Sequence, residues 1–368
     1  MQSTVTKFNQ YLREALDRDA SDVHVKTGKK VQFRISGNLR DGPGEPISKE
    51  EIRSFVETVV PAKFRMQWES DSQVDFAYSI EGMARFRVNG FYQRGVPGIV
   101  FRLVKDTPPT FESLNHDGEV LRQLCQMKDG VILVCGPTGA GKSSTLAGMI
   151  NYLNARENLH IVTLEDPIEF IYADEKCMIN QREIGIDTPN FAQGLRAALR
   201  QDPDVILIGE MRDRESFEIA LQAAETGHLV LSTLHASHAQ QAVRRLFEFF
   251  PESQRDMMKR QVADSLRAIV VQRLVSNVTG SGRLPVVERF IIDAIGRRVI
   301  ADGAFEKILS VIESSEENGS ITFNRDLYRR IKAGSISKDE GLFHSPNAKQ
   351  LEMNLKGIFL SSGGIVGS

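Results

Sequence analysis

Gly136-Pro-Thr-Gly-Ala-Gly-Lys-Ser143 fits GxxxxGK[ST], a spacing that can wrap a chain of phosphates. Its glycines let the backbone fold so that several N–H groups converge at the positive end of a helix. Lys142 then reaches the β- and γ-phosphates, and the Ser143 hydroxyl holds Mg²⁺. The context agrees with that chemistry, because the buried run Val131–Cys135 precedes the loop and the helical stretch SSTLAGMINYLN follows it. The candidate nucleotide-binding residues are Gly136, Pro137, Thr138, Gly139, Ala140, Gly141, Lys142, Ser143 and Ser144, and the implied cofactors are ATP and Mg²⁺.

Hydrolysis needs carboxylates as well. Ile161-Val-Thr-Leu-Glu165-Asp166-Pro167 and Asp204-Val-Ile-Leu-Ile-Gly-Glu210 each end an apolar run on acid. In a parallel α/β sheet the carboxyl ends of the strands share one edge, beside the phosphate loop. One carboxylate there can hold Mg²⁺ through water while another orients or deprotonates the attacking water. A single acid at a strand exit is more often merely solvated; two at equivalent exits after a phosphate loop favour function. Further back, alternation along ARFRVNGF puts Arg85, Arg87 and Asn89 on one strand face and Phe86 and Val88 on the other.

The elements that must position these groups are legible in outline. The chain of 368 residues is 41% hydrophobic and 26% charged, which suits two or three ordinary domains. Residues 1–104 read as helix and antiparallel strand: a first amphipathic helix, strands around Asp22 and Val31–Ile35, a helix capped by Ser48 and Glu51, then the runs VDFAYSI, ARFRVNGFYQR and GIVFRLV. Residues 105–111, with consecutive prolines, read as a linker. Residues 112–275 alternate short apolar strands (VILVC, IVTLE, VILIGE, LVLSTLH) with helices, the pattern of a parallel sheet covered on both faces. Residues 276–368 read as helical, ending in a tail, SSGGIVGS.

Composition also excludes. Lys+Arg 46 against Asp+Glu 48 gives a net charge of -2, contrary to a chain built to bind nucleic acid. Three cysteines without a CxxC pair leave no disulfide framework or four-cysteine zinc site. No apolar run approaches bilayer length and the N-terminus lacks the features of a signal peptide, so the expected compartment is the cytoplasm. Cys135 and Cys177 are expected to be buried, and Trp68 and Phe247–Phe250 to lie in a core or an interface.

Taken together, GPTGAGKSS, LEDPIEF, RQDPDVILIGEMRD and AETGHLVLSTLHA resemble the secretion ATPases that drive type II secretion and type IV pili, and most closely the retraction ATPases of the PilT and PilU type. The resemblance implies an N-terminal PAS-like α+β domain followed by a RecA-like P-loop ATPase core with a helical C-terminal region. It makes Glu165 the catalytic base, puts Glu210 in the position that supports Mg²⁺ and places His228 and His235 near the nucleotide. Arginines matching Arg87 and Arg102 reach a nucleotide held largely by the ATPase core. It also implies a homo-hexameric motor for pilus retraction and twitching motility, associated peripherally with the inner face of the inner membrane. The implied partners are the pilus platform protein and a paralogous retraction ATPase. Ile295–Asp302 keeps only part of the C-terminal motif typical of PilT, whereas FYQRGVPGIVFRLV, REIGIDT and ITFNRDLYRRIKAGSIS look more like PilU. A PilU-like accessory retraction motor is the favoured reading, with a divergent PilT as its alternative. The rivals are a regulatory nucleotide-binding module with little hydrolysis, a pilus-assembly or type II secretion ATPase, and a nucleic-acid translocase.

Overall fold

The computed structural model describes residues 2–35, 37–104, 107–280 and 282–358. The backbone divides into two units, Met1–Thr107 with Glu169–Ile171, and Pro108–Ile168 with Tyr172–Ser368. Lys105 and Asp106 of the expected linker, and the tail from residue 359, lie outside the described residues.

In the first unit, α1 (Gln2–Asp17) buries Phe8, Tyr11, Leu12 and Ala15, the i, i+3, i+4, i+7 stripe of an amphipathic helix. It leads into β1 (Ala20–Lys26), β2 (Gln32–Ile35) and β3 (Asn38–Asp41). Next comes α2 (Lys49–Val59), which starts on a reciprocal cap: the Glu51 amide donates to Ser48 Oγ at 3.2 Å and the Ser48 amide to Glu51 Oε2 at 2.8 Å. Then follow α3 (Arg65–Asp71), β4 (Gln73–Ile80), β5 (Ala84–Gln93) and β6 (Val96–Val104). The strands form one antiparallel sheet in the order β3-β2-β1-β6-β5-β4. One face carries Val23, Val25, Phe33, Phe76, Phe86, Val88, Ile99 and Phe101 into a core with α1 and α2, where Phe8 stacks on Phe55 with centroids 4.3 Å apart. The other face is polar. Across it, directly opposed residues place Arg34, Asp22, Arg102 and Arg87 in a single row.

The second unit runs α4 (Gly118–Cys125), β7 (Gly130–Cys135), α5 (Lys142–Asn154), β8 (His160–Glu165), β9 (Met178–Glu183), α6 (Phe191–Ala198), β10 (Val205–Ile208), α7 (Arg214–Glu225) and β11 (Leu229–Leu234). After α8 (Ala239–Glu248) and α9 (Glu252–Ser265) come β12 (Leu266–Ser276) and β13 (Arg283–Ile291). The helices α10 (Ala294–Ala301), α11 (Ile308–Ser314), α12 (Phe323–Lys332), α13 (Lys338–His344) and α14 (Ala348–Leu355) complete the described part. Among the described residues the sheet order is β13-β12-β7-β11-β10-β8-β9, parallel throughout except for β13. β7, β10 and β11 are buried along their whole length, as expected of strands covered on both faces.

β3, β9, β12 and β13 are not among the expected strands, and all but β12 are edges. The region after residue 276 is not helical from its start: β13 pairs along β12 before the helices begin. β9, sequence MINQRE, carries little apolar signal because an edge strand has one side unpaired and wet. Cys135, Cys177 and Trp68 are buried, as are Phe247 and Phe250. No helix of the described residues is long and apolar enough to cross a membrane.

One buried acid gives a measurable consequence. Glu288 on β13 is 5% exposed, and its Oε1 accepts the Ala239 amide of α8 at 2.6 Å. Burial pushes its carboxyl up from 4.5 to about 7, against the pull of that amide and of Arg273. A raised folded pKa means that the folded state binds the extra proton, so stability is full below the ordinary value and is lost as pH rises through about 7. The loss is of order 3 kcal/mol. Glu288→Gln is expected to remove this slope; urea midpoints at pH 5 and pH 8 that fall equally in both chains would refute it.

Candidate active site

The phosphate loop leaves the carboxyl end of β7 and enters α5 directly. Gly136, with φ 149°, lies against β12: a Cβ there would sit 2.5 Å from the Gln272 carbonyl oxygen. Gly141 caps α5 in a left-handed conformation, φ 86°, and no side chain caps that helix. Lys142 Nζ donates to the Gly136 and Pro137 carbonyls at 3.1 and 3.3 Å, folding the ammonium over the loop.

Below the loop is a buried polar network that the sequence reading did not include. Thr145 Oγ1 donates to Gln272 Oε1 at 2.8 Å, and Gln272 Nε2 donates to the Ala140 carbonyl at 2.6 Å. His116 Nε2 lies 2.8 Å from Thr145 Oγ1. Burial, with Arg330 and Arg289 nearby, holds the His116 imidazole down at about 3, so it is a neutral partner at neutral pH. Gln272 pins the loop from a strand 127 residues away from Thr145. The signal available was a lone glutamine inside the apolar run AIVVQRLV. Alongside lies a cavity of about 280 Å³ lined by Leu114, His116, Gly141, Ser144, Leu274 and Arg283 among others.

The acids lie on the same edge of the sheet. Glu165 ends β8, and its Oε1 accepts from Thr163 Oγ1 at 2.7 Å and Gln181 Nε2 at 3.2 Å. Glu210 follows β10; its Oε2 accepts from Arg212 Nε at 2.8 Å and its Oε1 is 3.4 Å from His235 Nε2. Arg212 also approaches Asp166 Oδ2 at 3.5 Å, linking the two acidic strand ends. Arg212 is a second residue the sequence reading passed over, although it stands within EMRD.

His228 requires a correction. It precedes β11, whose register pairs Leu229 with Gly130 and Leu234 with Cys135. His228 therefore sits at the amino edge of the sheet, a full strand of about 20 Å from the loop. Its Nδ1 lies 2.9 Å from the Ala223 carbonyl, closing the turn after α7. His235, at the other end of the same strand, is on the site edge.

Arg87 and Arg102 belong to the first unit and oppose each other across β5 and β6. Arg102 Nε donates to Asp22 Oδ1 at 2.8 Å, while Arg87 Nε is 3.9 Å from Asp75 Oδ1.

Among the described residues no group of three or more His, Cys, Asp or Glu side chains converges as a metal cage. Ser143 at the start of α5 and Glu210 after β10 carry oxygen donors, the type of which Mg²⁺ takes one or two beside water and phosphate.

The family model described as "Type II/IV secretion system protein" matches residues 2–314. The chain is 36% identical to the type IV pilus ATPase PilU of Pseudomonas aeruginosa over 350 residues, covering 95% of this chain and 91% of that protein. It is 38% identical to the pilus retraction ATPase PilT of the same organism over 332 residues, covering 90% of this chain and 96% of that one. A crystal structure of the pilus retraction motor PilT with bound ADP superposes with a TM-score of 0.85 at 39% identity, covering 93% of this chain and 97% of the other.

Proposed function

The chain belongs to the type II/IV secretion protein family, and from that premise we propose that it is an ATPase whose hydrolysis powers type IV pilus retraction. The observation that carries the chemistry is the common edge: the loop of Lys142, Glu165 and Glu210 all leave the carboxyl ends of strands in one parallel sheet. Relatives named as a type IV pilus ATPase and as a pilus retraction ATPase, and the structure of a pilus retraction motor, support the biological assignment.

In this reading the backbone N–H groups of Thr138–Ser144 and the Lys142 ammonium cradle the β- and γ-phosphates, and the adjoining cavity takes the nucleoside. Ser143 and Glu210 would hold Mg²⁺, which would supply charge neutralisation for the phosphates. His235 and Arg212 orient Glu210. Glu165 accepts the proton of the attacking water as its oxygen bonds to the γ-phosphorus. The bridging P–O bond breaks, and ADP leaves with that electron pair. Arg87 and Arg102 stabilise charge on the transferred group.

The assembly is a homo-hexamer that acts on the inner-membrane platform protein from the cytoplasm, alongside a paralogous retraction ATPase. The departures in α10 from the PilT motif favour the accessory, PilU-like role. Phosphate release by the purified chain tests the enzyme: many turnovers with Mg²⁺ and none with a chelator are expected. Tight nucleotide binding with no turnover, alone or with a cognate motor, would establish the regulatory-module reading instead. Loss of pilus retraction on deleting the gene, with and without a second motor gene, tests the biological role.

A further inference from the structure

In the row that crosses the polar face of the first sheet, Arg34, Asp22, Arg102 and Arg87 are consecutive opposed residues on β2, β1, β6 and β5. Ala77 and Leu39 complete it on the outer strands, so Asp22 is the row's single acid. Asp22 is 5% exposed, an unusual position for a carboxylate unless it is paired. Its Oδ1 takes Arg102 Nε at 2.8 Å, its Oδ2 takes Ser21 Oγ at 2.8 Å, and Arg34 Nε stands 3.9 Å away. The Arg102 side chain is nonetheless 69% exposed.

An acid that grips an arginine by Nε fixes the stem and the plane of the guanidinium. The terminal nitrogens are then left to fork onto an external oxyanion. An ungripped arginine on a sheet face samples many rotamers, and ordering it at the moment of reaction costs side-chain entropy. We propose that Asp22 is a positioning residue for ATP hydrolysis: it holds the Arg102 guanidinium in one orientation and does not itself touch nucleotide. This rests on the reading of Arg102 given above. Arg34 Nε, 3.9 Å from the same carboxylate, puts a second positive charge beside Asp22.

Burial alone would push the Asp22 carboxyl up, yet the bonds from Arg102 and Ser21 hold it below its ordinary range, so the clamp is ionised throughout the neutral region. Asp22→Asn keeps the shape and the acceptor oxygen but removes the charge.

The test is a double-mutant cycle on steady-state phosphate release by the full chain with MgATP. In the Arg102 background, Asp22→Asn is expected to lower kcat about tenfold with KM for ATP nearly unchanged. In an Arg102→Ala background it should change kcat by less than about twofold, because the group it acts through is gone. A structural role would instead lower both backgrounds alike, and that result overturns the proposal, as does unchanged kcat in Asp22→Asn. Should Asp22→Asn fail to fold, Asp22→Glu keeps the charge but shifts the anchor by one methylene. The same cycle then applies: equal effects in both backgrounds refute the proposal, and an effect confined to the Arg102 background supports it. Undiminished turnover of Arg102→Ala by itself would remove both the clamp and the parent reading of Arg102. A slow Arg102→Ala chain with additive Asp22 effects removes the clamp alone.

Discussion

Arg102→Ala is expected to hydrolyse ATP about 10³- to 10⁵-fold more slowly than the unchanged chain while still binding it. The size follows from the role: charge accumulates on the transferred phosphoryl group, and an arginine delivered from a separate element neutralises it only when the element is in place. The fold should survive the change, since Arg34 remains 3.9 Å from Asp22; a thermal melt alongside the assay checks this. Turnover within tenfold of the unchanged chain would exclude Arg102 from the reaction. Mixing this variant with Glu165→Gln adds a second readout. Activity recovered in the mixture means that one nucleotide draws its arginine and its base from different subunits, whereas no recovery puts both on one chain.

Glu165→Gln on its own is expected to lower kcat by about 10²- to 10⁴-fold, the usual contribution of a positioned base. The amide oxygen can still accept from Thr163 and Gln181, which hold the carboxylate at 2.7 and 3.2 Å, so the strand end and nucleotide affinity should be preserved. Equilibrium binding of a fluorescent ATP analogue, compared with single-turnover phosphate release, separates the two effects. Hydrolysis at the original rate would take the base role away from Glu165 and leave Glu210 and its neighbours as the acids to examine.

The loop and the acidic strand ends were legible because their signals are local. An apolar run that stops on Glu165 or Glu210 fixes both a strand and the edge at which it ends, within about six residues. What failed was either weak in pattern or remote in sequence. β9 reads as MINQRE, and β13 contains Pro285 and three charged residues, so neither shows the continuous apolar run of the central strands. The Thr145–Gln272 bond joins residues 127 positions apart, beyond any periodicity argument. His228 is a different kind of error, since its information was present. HLVLSTLH begins and ends on histidine, and a strand of that length carries its two ends to opposite edges of the sheet. Only one of the pair can border the loop, and strand direction selects His235. The arginine row was half legible: alternation gave the face of Arg87, but the pairing that puts Asp22 beside Arg102 comes from register, which an isolated strand does not encode.

The insertion of β11 between β7 and β10 has an electrostatic consequence. Two strand spacings, about 10 Å, separate the strand bearing the lysine loop from the one leading to Glu210. Attraction between unit charges at that range is about 2 kcal/mol at an effective dielectric near 20, less than half its value at 4 Å. The ammonium donates to two neutral carbonyls of its own loop. The attraction between that ammonium and an arriving polyanion is screened by salt, so the capture rate should drop as ionic strength rises.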